Sequence, residues 1–161
     1  MIDIINIIII SLLPGFEGRY AIIYGLLKGL DLSLVITISI TCTITLSTLL
    51  TLFVSNIDSM LSKLALNNSS ISKLVRRYLE RVNRIRDRIS VKIRKYGIAI
   101  LILFIAIPIP GTGVWTGALL AYMLKLKTRE MLISLILGGT LSIAVTSSLY
   151  FLGEEIIKIL M

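Results

Sequence analysis

Hydrophobic positions along this 161-residue chain fall into long blocks, not into the alternation of a half-buried sheet. Residues 32–57, 96–124 and 131–153 carry no charged side chain. Each block is long enough to cross a hydrocarbon core of roughly 30 Å, which takes about 20 helical residues. Two further stretches are apolar but interrupted. Ile4 to Leu13 is too short to span, and Pro14-Gly15 stops its helix, because proline lacks the N–H and clashes with the preceding turn. A second short helix follows from Arg19 to Leu27, then the polar turn Lys28-Gly29-Leu30-Asp31. The same grammar returns 96 residues later, where Gly97 to Ile107 is broken by Pro108-Ile109-Pro110-Gly111-Thr112-Gly113 and Val114 to Leu124 follows.

The pattern predicts two copies of one plan: short helix, Pro-Gly break, short helix, turn, long helix. Repeat 1 takes residues 1–57, with a broken segment at 4–29 and a spanning helix at 32–57. Repeat 2 takes 96–161, with a broken segment at 97–124, a spanning helix at 131–153 and a short amphipathic tail. The long helix 32–57 is rich in Ser and Thr, whose hydroxyls are read as serving close helix packing, as are Gly138-Gly139 and the small residues after them. Residues 58–95 form the connector. Within it Ile71, Val75, Tyr78, Val82, Ile85, Ile89 and Tyr96 recur at helical spacing, which predicts an amphipathic helix.

Composition supports a membrane class. The chain is 56% hydrophobic and 16% charged, with a mean hydropathy of +0.94, far too apolar for a soluble domain of this size. Met1-Ile2-Asp3 offers no basic n-region, so the N-terminus does not read as a cleavable signal. The net charge of +8 sits in the connector: ten basic residues between Lys73 and Lys95 face only Glu80 and Asp87. The positive-inside bias therefore predicts a multi-pass protein of the cell membrane with residues 58–95 cytoplasmic. Residues 73–95 are expected to contact anionic membrane lipids; a partner helix is the alternative. No aromatic or glycine pattern of a nucleic-acid module accompanies the charge, so nucleic acid is not an expected partner.

Candidate chemistry is sparse. There is no histidine, and the one cysteine, Cys42, reads as a small packing residue, so no metal or other cofactor is expected. An enzyme would need a nucleophile, paired acids or a metal set, and the apolar segments offer only Glu17. A charge at membrane depth normally faces a partner or a wet cavity, which makes Glu17 and Arg19 the leading candidates.

The broken segments admit two readings, kinked helices that cross or hairpins that dip in and return. Hairpins put both basic stretches, 73–95 and Lys125/Lys127/Arg129, on one side, which the charge bias favours. Each copy then crosses once, so the copies are inverted. The expected fold is an all-α integral membrane protein of two inverted repeats, each a re-entrant helical hairpin followed by one transmembrane helix, joined by a basic amphipathic connector. Four kinked spanning helices of a non-transporting scaffold are the alternative.

Pro14-Gly15-Phe16-Glu17-Gly18-Arg19, with Ala21 and Gly25, followed by Pro108-Ile109-Pro110-Gly111-Thr112-Gly113-Val114-Trp115-Thr116-Gly117-Ala118, resembles the small multidrug export protein family. The resemblance covers nearly the whole chain. That family is similar in turn to the wider DedA/VTT membrane proteins, which implies two inverted re-entrant hairpins and, by analogy with relatives, proton-coupled flipping or scrambling of lipids. The second hairpin of DedA proteins carries arginines, whereas residues 97–124 here have none.

With re-entrant hairpins, the second arms begin near mid-membrane with free backbone N–H groups, which bind anions. Gly15, Gly18, Gly111 and Gly113 let backbone approach a ligand closely. Arg19 adds a guanidinium that suits a phosphate or carboxylate head group. Pro14 and Pro110 shape the tips, Thr112 and Thr116 offer hydroxyls or caps, and Trp115 packs an arm. Glu17 is read as a proton carrier, with a permanent Glu17–Arg19 ion pair as the alternative. The expected function is a transporter or lipid flippase/scramblase, proton-coupled, moving an anionic amphiphile through a midplane site, with a multidrug-type exporter as the alternative. Two short hairpins need shielding from lipid, which suggests a homodimer.

Overall fold

A computed structural model describes residues 2–66, 96–109, 111–124 and 126–160. Among these residues there are six helices and no strand: α1 (Ile2–Leu12), α2 (Glu17–Leu27), α3 (Leu32–Leu66), α4 (Gly97–Ala106), α5 (Val114–Met123) and α6 (Thr128–Leu160). Local sequence explains their limits. Pro14 follows the end of α1, and Ile107, extended before Pro108, ends α4 (φ −70°, ψ 121°). Gly29 adopts φ +71° after α2, and Leu30 N–H closes back on the Gly25 carbonyl at 3.1 Å. Asp31 Oδ2 accepts from Leu34 N–H at 3.1 Å and so caps α3.

Both long helices overrun the limits expected of them. α3 continues to Leu66 instead of stopping at 57, and α6 starts at Thr128 and continues to Leu160 in place of a separate tail. Charge does not end a helix; only a missing N–H or a competing turn does, and residues 32–66 contain neither proline nor glycine. The apolar parts, Leu32–Val54 and Thr128–Gly153, are each long enough to cross a membrane. The amphipathic stretch 71–96 and its basic residues 73–95 lie outside the described residues apart from Tyr96.

The arms of each broken segment lie against one another. In the first, the Tyr24 hydroxyl donates to Asp3 Oδ1 at 3.2 Å and accepts from Asn6 Nδ2 at 2.9 Å. In the second, Ile105 Cδ1 lies 2.5 Å from where a Cβ at Gly117 would be. A continuous kinked rod would hold these pairs far apart; each broken segment instead folds back on itself as a helical hairpin. Arms of 10 or 11 residues measure about 15–17 Å, half the depth of a hydrocarbon core.

The two long helices cross antiparallel. One apolar cluster joins Leu46, Leu50 and Val54 of α3 to Met131 and Leu135 of α6, together with Leu101, Ile105 and Ala118 of the second hairpin. The other joins Val35 to Ile143, with Ile7, Ala21 and Ile22 of the first hairpin. The early half of each long helix thus meets the late half of the other, and the hairpins sit at opposite ends of the crossing. At the crossing itself Thr43 Cγ2 lies 2.5 Å from the Cβ position of Gly139. These two residues are 96 apart, and burial repeats at that interval: positions 35, 39, 42, 43, 46, 47, 50 and 51 are buried, as are 131, 135, 138, 139, 142, 143, 146 and 147.

Outward faces are apolar, with Leu49, Leu52, Phe53, Leu149 and Leu152 more than half exposed. Such a belt suits lipid and not water. Thr37, Thr41, Thr45 and Thr48 also face outward, and each hydroxyl donates to the carbonyl four residues back at 2.7–2.9 Å. Their polar atoms are satisfied within the helix, so these threonines do not serve helix packing. Ser39, Thr43, Ser47 and Thr51 face inward instead.

Gly138 permits the close approach of α4 to α6, since a Cβ there would meet Ile105 Cβ at 2.7 Å and the Ile102 carbonyl oxygen at 3.1 Å. Gly138→Val should lower stability by about 1–3 kcal/mol through overpacking. Gly153→Ala, where nothing lies within 4 Å, should leave it unchanged or slightly raised. Thermal unfolding of both variants in detergent micelles checks the contrast.

Candidate functional site

The tips of the two hairpins meet through Glu17 and Arg19, the charged pair at the start of α2. The turn that delivers them is made by Leu13, whose carbonyl accepts from Phe16 N–H at 3.2 Å and Glu17 N–H at 3.3 Å, and by Gly15 at φ +85°. Glu17 itself sits at φ +61°, the one non-glycine residue at positive φ among the described residues. That left-handed conformation costs a side-chain-bearing residue about 1–2 kcal/mol, so something else must hold it.

What holds it is the N-terminus of α5. Glu17 Oε2 accepts from Val114 N–H at 3.0 Å and Oε1 from Trp115 N–H at 3.2 Å. An N-terminal turn leaves such N–H groups unpaired and carries about half a positive charge, so a carboxylate is stabilised there. The position that would normally supply a capping side chain is Gly113, which has none. A Cβ at Gly113 would strike both carboxylate oxygens of Glu17. Thr116 completes the turn by accepting from Gly113 N–H at 2.9 Å.

Arg19 goes to the other end of the same broken segment. Its Nη1 donates to the carbonyls of Ile107 at 3.3 Å and Ile109 at 3.2 Å, just past the C-terminus of α4. The Thr112 hydroxyl reaches these two oxygens as well, at 2.6 and 2.8 Å. A cation thus meets the negative end of one helix, and an anion the positive end of the next. Arg19 Nη2 is 4.0 Å from Glu17 Oε2, a loose ion pair beside tighter backbone contacts. Both side chains are buried, 3% and 7% exposed. The guanidinium lies 5.4 Å from the Tyr20 ring centroid, and its Nε has no hydrogen-bond partner. Trp115 Nε1 donates to the Leu12 carbonyl at 3.3 Å, tying the second hairpin to the end of α1.

The structure therefore brings together Glu17, Arg19, Thr112, Gly113, Trp115 and Thr116. Pro14 and Gly15 form the exposed turn of the first tip, and Gly111 (φ +92°) the turn of the second, each of these glycines with open space where a Cβ would be. Gly18 faces away from the junction and packs against Thr43 and Ile143. Pro110 lies outside the described residues. The α5 N–H groups, read from sequence as free for a ligand, are held by the Glu17 carboxylate. Sequence reading missed Leu12, Ile107, Ile109 and Val114, because they contribute backbone atoms that leave no mark on residue type.

A profile of the family described as "Putative small multi-drug export protein" matches residues 17–145, from the junction carboxylate through the first half of α6. No curated protein and no solved structure matches the chain.

Because Gly113 leaves room for the Glu17 carboxylate, the two positions should be coupled. Gly113→Ala is expected to destabilise the native chain by about 2 kcal/mol and a Glu17→Ala background much less, a coupling of the size seen for residues in contact. A double-mutant cycle on thermal unfolding in micelles measures it; additive effects would place the carboxylate elsewhere.

Proposed function

The chain belongs to the small multi-drug export protein family, and on that footing we propose that this membrane protein is an exporter whose substrate site is the junction of the two hairpin tips. Several features support inverted re-entrant hairpins in a multi-pass cell-membrane protein. The arms have half-membrane length, and the hairpins sit at opposite ends of an antiparallel helix pair. Gly18 and Val114, at the two tips, pack on Thr43 and Gly139, which lie near the middle of the spans Leu32–Val54 and Thr128–Gly153. Broken helices meeting at mid-depth between inverted repeats are the usual setting of a transport site. The positive-inside bias puts residues 58–95, with their eleven basic side chains, on the cytoplasmic leaflet.

The observation that carries the reading is a carboxylate seated on the α5 N–H groups with a guanidinium 4.0 Å away. That is an anion site filled by the protein's own anion. A phosphate or carboxylate head group of an amphiphile can take the same N–H groups and use Arg19 as counter-charge. Glu17 then leaves with a proton, so the junction never gathers two anions in a poorly solvated space. The left-handed backbone at Glu17 relaxes as it leaves, which favours exchange. Proton uptake on Glu17 and anion entry are thereby linked.

The test is transport in vesicles containing the purified protein. A fluorescent anionic amphiphile should move across the bilayer faster under a pH gradient. Glu17→Gln should remove the gradient dependence, and Arg19→Lys should slow movement by about tenfold through loss of the two-point contact. Movement of a cationic dye but not of the anion would replace this substrate with a multidrug-type one. Movement of neither would sink the exporter reading.

A further inference from the structure

The outer face of α2 carries a groove that the junction does not use. Phe16, Tyr20, Ile23, Tyr24 and Leu27 follow at helical spacing, so they share one side of α2 and its preceding turn. The opposite side, with Ala21, Ile22 and Gly25, is buried, and a Cβ at Gly25 would meet Val35 and Ile7. With Ile10 and Leu13 across from them, the five outer residues line an open groove of about 410 Å³ that presents no polar atom. That volume falls in the range of small-molecule sites. The groove follows α2, whose 11 residues rise about 16 Å, half the depth of a hydrocarbon core. It is one leaflet deep.

Its two ends differ. The hairpin tip closes one end with Leu13 and Phe16, both apolar. At the other end the exposed Lys28 Nζ lies 5.9 Å from the Tyr24 ring centroid and forms no ion pair among the described residues. The carboxylates of Asp3 and Asp31 are engaged elsewhere, by the Tyr24 hydroxyl at 3.2 Å and by Leu34 N–H at 3.1 Å. The Tyr20 ring carries a second cation, the Arg19 guanidinium, at 5.4 Å. Two aromatic rings of the groove thus already face protein cations, which disfavours a cationic occupant and favours an anionic one. A lysine at the end of a membrane helix reaches for the interface, where lipid head groups lie. Charge at one end and none at the other orients the occupant, head on Lys28 and tail toward the tip.

We propose that the groove between α1 and α2 seats one acyl chain of an anionic bilayer phospholipid whose phosphate rests on the Lys28 ammonium. The chain fills a concavity that would otherwise forfeit dispersion contacts. Because α3 leads from the Lys28 turn toward the connector, this lipid belongs to the opposite leaflet. The inference rests on the membrane class and not on export. Tryptophan quenching in mixed bilayers of chain-brominated phosphatidylglycerol and plain phosphatidylcholine, or the reverse, tests it. A Leu27→Trp reporter reads the groove, a Leu103→Trp reporter reads an exposed face of the second hairpin, and the native chain, whose one tryptophan is Trp115, gives the background. The groove reporter should prefer phosphatidylglycerol about fivefold, and the control reporter should show no preference. Lys28→Gln in the groove reporter should abolish the preference. So should Ile10→Phe/Ile23→Phe, which fills the groove and leaves the lysine in place. Equal preference at both reporters overturns the site, and so does a preference that survives filling, which assigns it to loose charge attraction. A groove reporter quenched by neither lipid gives the groove to a second copy of the chain and overturns the proposal as well.

Discussion

The structure depends on one exchange of charge for backbone. Glu17 answers the unpaired N–H groups of α5, and Arg19 answers the unpaired carbonyls beyond α4. Broken helices in an apolar surrounding expose backbone polar groups that neither lipid nor an apolar core can satisfy, at several kcal/mol each. A Pro-Gly break in such surroundings is therefore tolerable only if another segment supplies the partners. Here the first hairpin supplies them for the second, and Trp115 returns the service by donating to the Leu12 carbonyl. The tips are held together because each would be costly alone.

That constraint explains the small residues around it. Gly113 clears room for a carboxylate, Gly18 lets α2 settle against Thr43, and Gly139 lets α3 and α6 touch at their crossing. Close packing of this kind is how membrane helices associate where hydrophobic burial gives no net drive. The same crossing separates the apolar interior into two clusters, one around each hairpin. Between them, Gly18 of the junction meets Thr43 at the crossing.

The proposed transport role rests on the geometry of this junction. Glu17 is seated by two hydrogen bonds but at a strained backbone angle, and its arginine neighbour is too far for a tight pair. The attraction holds the tips closed, and the strain keeps the seat exchangeable. On the proposed reading, an anionic head group would offer the same contacts without the strain.

Much of this was written in the sequence. The uncharged blocks, the two Pro-Gly breaks 96 residues apart, the Glu17/Arg19 pair in an apolar run and the family signature all follow from residue type and spacing. Helix ends at Pro14 and Pro108 were equally legible. Tertiary structure decided the rest. It chose the partners of Glu17 and Arg19, which are backbone atoms about 90 residues away and leave no trace in residue identity. It also sorted the Ser and Thr residues of α3 into a lipid-facing set bonded to its own helix and an inward set that is not, a division fixed only once α6 lies against one face. Composition records how many polar groups a membrane chain carries, and only packing determines which of them must find a partner outside their own helix.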